Sequence, residues 1–413
     1  MWRRAPRWVI PIVVFVASCT GSGSPESTSD NTSSTSPTLN VSPPPSFEVE
    51  SVNRLVTLDQ SGNIITIDPD GSNPQHVTDD AQGGLTYFQP VWSPVSGMLA
   101  WGQISPRGAG VGLSDGSGGG RREVEMSNLP FYIYWAPDGS RIAALHNAPE
   151  VGLQFELVDV DGASSSVVDA GAPYYFSWSP DATSLVTHVG GDRLGIVVPG
   201  GETIDLGSTA PGYQAPHWTP AGIFYLDVDG LRIRDLDANS RLLAMVPGPI
   251  AFVANPQGTM VAVEALTEDG LGQTAAFQEG PRIPPNVITV IDAATGEIEV
   301  ATNGPGIGFF WSPDGGSLLT LEPGDAVGEV DISTWVDGET RPLVTMMPPV
   351  SFFRDVLQFF DQYAQSLELW APDSSAVALA GAIDGESGIW VIPVDGSDPR
   401  LVSEGTWVAW SNG

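Results

Sequence analysis

One short phrase recurs along the chain and constrains its fold more than any other feature. A tryptophan followed by any residue and then proline stands at Trp92-Ser93-Pro94, Trp135-Ala136-Pro137, Trp178-Ser179-Pro180, Trp218-Thr219-Pro220, Trp311-Ser312-Pro313 and Trp370-Ala371-Pro372, and Ala254-Asn255-Pro256 marks the same point without tryptophan. Most spacings are about 40 residues, a period that belongs to propellers and solenoids. In Pro137-Asp138-Gly139, proline presets φ, aspartate bonds its own turn and glycine takes the left-handed position, which makes a hairpin corner. Ala182 and Ser374 replace that glycine in two units, so their corners are expected to be strained or differently shaped.

Each corner precedes a β-rich strand such as Arg141 to Leu145, then a strand such as "FELVDVDG" or "IWVIPVDG", a second turn and a fourth strand. Four antiparallel strands per repeat make one propeller blade. The 48 glycines and 36 prolines, with only 16% charged residues, fit many short strands joined by tight turns. Each tryptophan is expected to be a wedge between neighbouring blades, the default for a large aromatic at a repeat position. Seven units start at the seven corners above; the N-terminal strands Arg54 to Asp59, Asn63 to Asp68 and Gln75 to Thr78 lack an inner strand, which the C-terminal "TWVAWS" supplies. The expectation is an all-β propeller over residues 51–413 with eight four-stranded blades, closed by C-terminal pairing with N-terminal strands, or seven blades if one degenerate unit is loop.

Trp-Ser-Pro-Asp-Gly followed by an alternating strand and an Asp-x-Asp-Gly turn resembles the WD40-like repeat of TolB-type propellers, also seen in propeller domains of prolyl oligopeptidase-like peptidases. The resemblance runs from about Arg54 to Gly413 and implies a fold without a single function, since such propellers serve as periplasmic protein docks, polysaccharide lyases and peptidase gates.

The first 18 residues read as a secretory signal: Arg3, Arg4 and Arg7, then an apolar run from Trp8 to Ala17, shorter than the roughly 20 residues a membrane-crossing helix needs. Arg3-Arg4 is compatible with twin-arginine export, from which Ala5-Pro6-Arg7 departs. Val16-Ala17-Ser18-Cys19 resembles the lipobox of bacterial lipoproteins, which implies cleavage before Cys19, the only cysteine, and its acylation. Two or more acyl chains anchor stably. Residues 19–50, rich in Ser, Thr and Pro, read as a disordered tether. These features imply a monomer on the extracytoplasmic face of the cell membrane, held there by its lipid and serving an envelope protein or ligand.

Formal charge is −33, from 16 arginines, no lysine and 49 acidic residues, which repels a phosphate backbone and argues against nucleic acid as partner. No Gly-x-Ser-x-Gly elbow is present, so the chain carries no peptidase domain of that type. Neither a phosphate loop, a dinucleotide fingerprint nor a zinc-spaced histidine pair occurs, and no cofactor or metal is expected. Asp68-Pro69-Asp70-Gly71, Asp159-Val160-Asp161-Gly162 and Asp227-Val228-Asp229-Gly230 lack the further ligands of a calcium loop and read as hairpin turns. His146 and His188 end second strands in adjacent units, with Gln103 and Glu322 near the matching point elsewhere. Together they are the candidate polar ring of a funnel and resemble the metal-binding histidines of oligogalacturonate lyase propellers. His188 sits one residue nearer its corner than His146, an offset that turns a side chain to the opposite face.

Two insertions interrupt the repeat, near residues 267–286 and 346–366. The first is a long Gly- and Pro-rich loop. In the second, Phe353, Val356, Leu357, Phe360 and Ala364 fall at helical spacing and predict a helix over 351–365, with Phe352, Phe359 and Tyr363 widening its apolar face. Such a helix either packs on a blade or plugs the channel, or docks a partner through Phe352, Phe353, Phe359, Phe360 and Tyr363. The function expected from sequence is a non-catalytic binding scaffold, with a propeller lyase or hydrolase working through the funnel as the alternative.

Overall fold

The computed structural model describes residues 52–208, 215–235, 239–246, 250–265, 282–357 and 360–412. The signal, Cys19 and the tether lie outside them, as do Phe359 and most of the 267–286 insertion. Eight antiparallel sheets form a ring. Blade 1 takes its inner strand, Trp407–Trp410, from the C-terminus and pairs it with Leu55–Leu58, followed by Ile64–Ile67 and Gln75–His76. Its register sets Leu55 opposite Trp410 and Leu58 opposite Trp407, so the two ends of the chain close the ring.

Blades 2 to 7 follow in order, with inner strands Thr86–Trp92, Pro130–Trp135, Tyr174–Trp178, His217–Thr219, Ile250–Ala254 and Gly308–Trp311. Blade 8 consists of Ala376–Ile383, Glu386–Pro393 and Arg400–Ser403, and the inner position is held by a single bridge between Trp370 and Val377. The eight-blade count is therefore the correct one of the two expected.

Second strands lie between neighbouring blades and are covered on both faces, so they read as unbroken apolar runs. Leu185–Val189 is buried at every position, whereas the outer strand Ser164–Ala170 has no fully buried residue. Trp101 is fully buried opposite Gly112, where an added Cβ would lie 2.2 Å from the indole ring.

The corner tryptophans wedge between blades and also bond across them. Trp135, Trp178, Trp311 and Trp370 each donate their indole N–H to a carbonyl of the preceding blade, at Val91 (3.4 Å), Tyr134 (3.2 Å), Val253 (2.8 Å) and Phe310 (3.1 Å). Every acceptor is the residue just before the preceding blade's corner position. Among the described residues the Trp92 indole N–H has no partner.

Candidate functional site

Antiparallel order puts the starts of the inner strands and the ends of the second strands at the same mouth of the ring. The chain from blade 7 to blade 8 also enters there. The expected helix over 351–365 is two short turns, α1 (Val350–Asp355) and α2 (Phe360–Tyr363), because its residues follow the curved wall of the channel rather than one flat surface. Val356, between the turns, is fully buried.

The insertion plugs the mouth. An inner strand has one edge paired to its blade and one facing the channel, whose N–H and C=O groups need partners. The Gln362 amide serves that edge in blade 4: Phe176 donates its N–H to Oε1 (2.9 Å) and accepts from Nε2 (2.9 Å). In blade 3, the Tyr132 hydroxyl donates to the Gln362 carbonyl (3.1 Å) and Tyr363 donates to the Phe131 carbonyl (2.8 Å). Tyr132 and Tyr363 meet edge to face at 4.7 Å, and Phe360 meets Phe309 of blade 7 in the same way at 4.7 Å. Gly308 opens room for Leu357, whose Cδ2 would lie 2.9 Å from a Cβ there. Near blade 5, Ala215 donates its N–H to Asp361 at 3.3 Å, and Gln365 donates to the Pro216 carbonyl at 3.4 Å.

Four of the five candidate docking residues lie among the described residues. Tyr363 is buried, and Phe352, Phe353 and Phe360 are half-buried against the core, so their rings are occupied within the chain. Two cavities between the insertion and the blades hold about 10 Å³ each, no more than about one water.

The funnel residues line second strands close to this mouth, but each is engaged locally. Buried Gln103 accepts from the Trp101 indole at 2.9 Å. His146, fully buried, sets Nε2 2.8 Å from Glu156 Oε1 on the next strand and Nδ1 3.0 Å from the Asn147 carbonyl. His188, also fully buried, stacks with the Tyr175 ring at 6.4 Å. Glu322 is half-buried three blades away from His188, its pKa raised by burial and then by the charge of Asp331. Among the described residues no three His, Cys, Asp or Glu side chains gather as a metal centre, so the donors do not converge as a shared metal would require.

Sequence reasoning missed Glu264, which ends the second strand of blade 6. It stands as far past Pro256 as His188 stands past Pro180, and the absence of tryptophan at Ala254 hid the correspondence. Burial raises its pKa to about 7, opposed by the Gly306 N–H (2.9 Å) and reinforced by the charge of Glu322. His217 and Asp361 were also missed as site residues. His217 is 4% exposed, sits 5.4 Å from the Phe252 ring and is held neutral by burial, which lowers its pKa to about 3.

No family model matches the chain, and no curated protein matches it in sequence. Solved structures do match. Dihydro-heme d1 dehydrogenase NirN in complex with DHE is 15% identical, with 90% of this chain and 76% of that one covered at a TM-score of 0.53. Oligogalacturonate lyase in complex with manganese is 13% identical, covering 84% of this chain and 98% of that one at 0.51. TolB from Acinetobacter baumannii is 12% identical at a TM-score of 0.41, and this chain spans 66% of its length. At these identities the likeness is one of fold, carried by the two matches above 0.5: the chain is an eight-bladed β-propeller.

Proposed function

We propose that the chain is a bacterial envelope lipoprotein, exported by residues 1–18, acylated at Cys19 and carried on the tether 19–50, whose propeller is a non-catalytic, monomeric scaffold for an envelope protein or ligand. The observation that carries the scaffold reading is the plugged mouth. A propeller enzyme works in the concave opening of its ring, and here Gln362, Tyr363 and Phe360 fill that opening while His146 is committed to Glu156.

A lyase reading draws only on the fold shared with oligogalacturonate lyase, whose structure is a complex with manganese. The residues of this chain do not fit such an ion, because His146, His188 and Glu322 do not assemble around one point.

Polygalacturonate incubated with the purified chain and manganese, followed by the absorbance of unsaturated products, tests the choice. The scaffold reading expects no turnover, and turnover that disappears in both His146→Ala and His188→Ala would overturn it. Anchoring is tested separately by palmitate labelling and fractionation: Cys19→Ser should lose the label and leave the membrane fraction, and a variant that stays there sinks the lipoprotein reading.

A further inference from the structure

The segment that closes the mouth is attached differently from every blade. It belongs to no sheet: one bridge, Met347 with Ala382, precedes it, and another, Trp370 with Val377, follows it. Residues 360–367 can therefore lift away without breaking a blade's ladder, while the carbonyls of Glu368 and Leu369 accept from the N–H groups of Trp410 in blade 1 and Ala378 in blade 8, each at 2.7 Å, and hold the end of the segment in place. Two carboxyls sit in its second half. Asp361 is 2% exposed, and its oxygens accept only from the N–H of Ala215 at 3.3 Å and of its own neighbour Gln362 at 3.0 Å. Among the described residues no arginine pairs with it.

The titratable groups that face Asp361 are Tyr175 of blade 4 and His217 of blade 5. Neither supplies a positive charge: the phenol is uncharged, and His217, whose Nε2 has no partner, is neutral. Glu368 is half-buried where the chain rejoins blade 8, facing Tyr134 and the side chain of Asn412. A carboxylate buried as Asp361 is, with weak partners and no countercharge, costs several kcal/mol relative to its protonated form or to water, and half-buried Glu368 bears a smaller cost of the same sign.

We infer that residues 360–367, hinged at Glu368 and Leu369, are a proton-controlled latch: with Asp361 and Glu368 neutral the segment seats against the inner strands, and with both charged it loosens from the channel mouth. Burial acts in that direction, raising Asp361 from 3.8 to about 6 and Glu368 from 4.5 to about 7. Both pKa values are higher seated than released, so the proton-linked stability of the seat is complete below about pH 4 and is lost as pH rises through 6 and 7. The inference does not depend on which ligand the scaffold binds, and a released segment still uncovers no assembled donor set among the described residues, because His146 stays committed to Glu156.

Hydrogen exchange of the full chain at pH 5 and pH 8, corrected for intrinsic rates, reads the latch directly. Protection of peptides spanning 360–367 should fall at least about tenfold at pH 8, since a two-unit pKa difference allows on the order of 100-fold, while the Arg141–Ala148 strand keeps its protection. The double variant Asp361→Asn, Glu368→Gln should hold the same protection at both pH values. Equal protection of the native segment at pH 5 and pH 8, or an undiminished pH dependence in the double variant, would overturn the inference. If the double variant loses blade protection as well, Asp361→Asn alone decides, since it must weaken the pH dependence of the native segment.

Discussion

Ala182 and Ser374 hold the left-handed backbone that other corners give to glycine, with φ of 59° and 60° against 70° at Gly139 and 72° at Gly315. The turn hydrogen bond survives in both: Ala182 donates its N–H to Ser179 at 2.9 Å and Ser374 donates to Ala371 at 2.9 Å. The strain is thus carried by the Cβ and not by a lost bond, and it is worth about 1 kcal/mol net of glycine's entropy. Ala182→Gly should raise stability by about 0.5–1 kcal/mol in urea unfolding. Ser374 is the poorer test, because its hydroxyl accepts from the Asp314 N–H of the neighbouring blade at 3.3 Å. Gln362 shows the converse case of a side chain that the backbone needs. Gln362→Ala leaves the Phe176 N–H and C=O without their partner inside the channel, and the expected loss is about 2–3 kcal/mol in the same assay.

Blades are joined by a repeated device: the indole of one corner bonds the carbonyl just before the next corner back. Trp178→Phe keeps most of the wedge's volume but strands the Tyr134 carbonyl, so it should cost about 1–2 kcal/mol, whereas Trp178→Ala should cost about 3–5 kcal/mol by adding a cavity. Equal losses in the two variants would show that the indole hydrogen bond alone matters, and an unaffected Trp178→Phe would show that the wedge alone does. These elements were legible in sequence because their causes are local. Proline, aspartate and glycine write a corner within a few residues, as when Asp138 accepts from the Ser140 N–H at 3.0 Å. The insertion was legible as apolar and helical but not as a plug. Its helical spacing is real over α1 and is then broken, because Tyr363, Gln362 and Phe360 each answer to a different blade, and those partners lie more than a hundred residues away or across a turn of the ring. Glu264 escaped notice for the opposite reason: its position is regular, but the tryptophan that marks the unit is missing.

At the scale of the molecule, buried titration and the acidic shell act against each other with pH. Corner aspartates such as Asp181, Asp314 and Asp373 have pKa values held below the ordinary 3.8, the first by its hydrogen bonds against the opposing effect of burial, the other two chiefly by bonds from Ser312 and Ser375. Their stabilisation is present above about pH 4 and is lost as pH falls below it. His217, lowered from 6.5 to about 3, stabilises above its unfolded value and loses that contribution progressively as pH falls through 6.5 toward 3. Asp361, Glu264 and Glu368 oppose it, because burial raises them to about 6, 7 and 7 and their contribution disappears as pH rises through those values. Three acids outweigh one histidine on the neutral side, and the formal charge of −33 adds self-repulsion in the same direction. Stability should therefore peak near roughly pH 5, with Tm lower by about 5 °C or more at pH 8 in a thermal scan. Replacing Glu264 and Glu368 with Gln and Asp361 with Asn should flatten the alkaline arm and leave the acid arm, set by the corner aspartates and His217, in place. An alkaline arm that keeps its slope in this variant would assign the effect to surface charge, which added salt would then suppress.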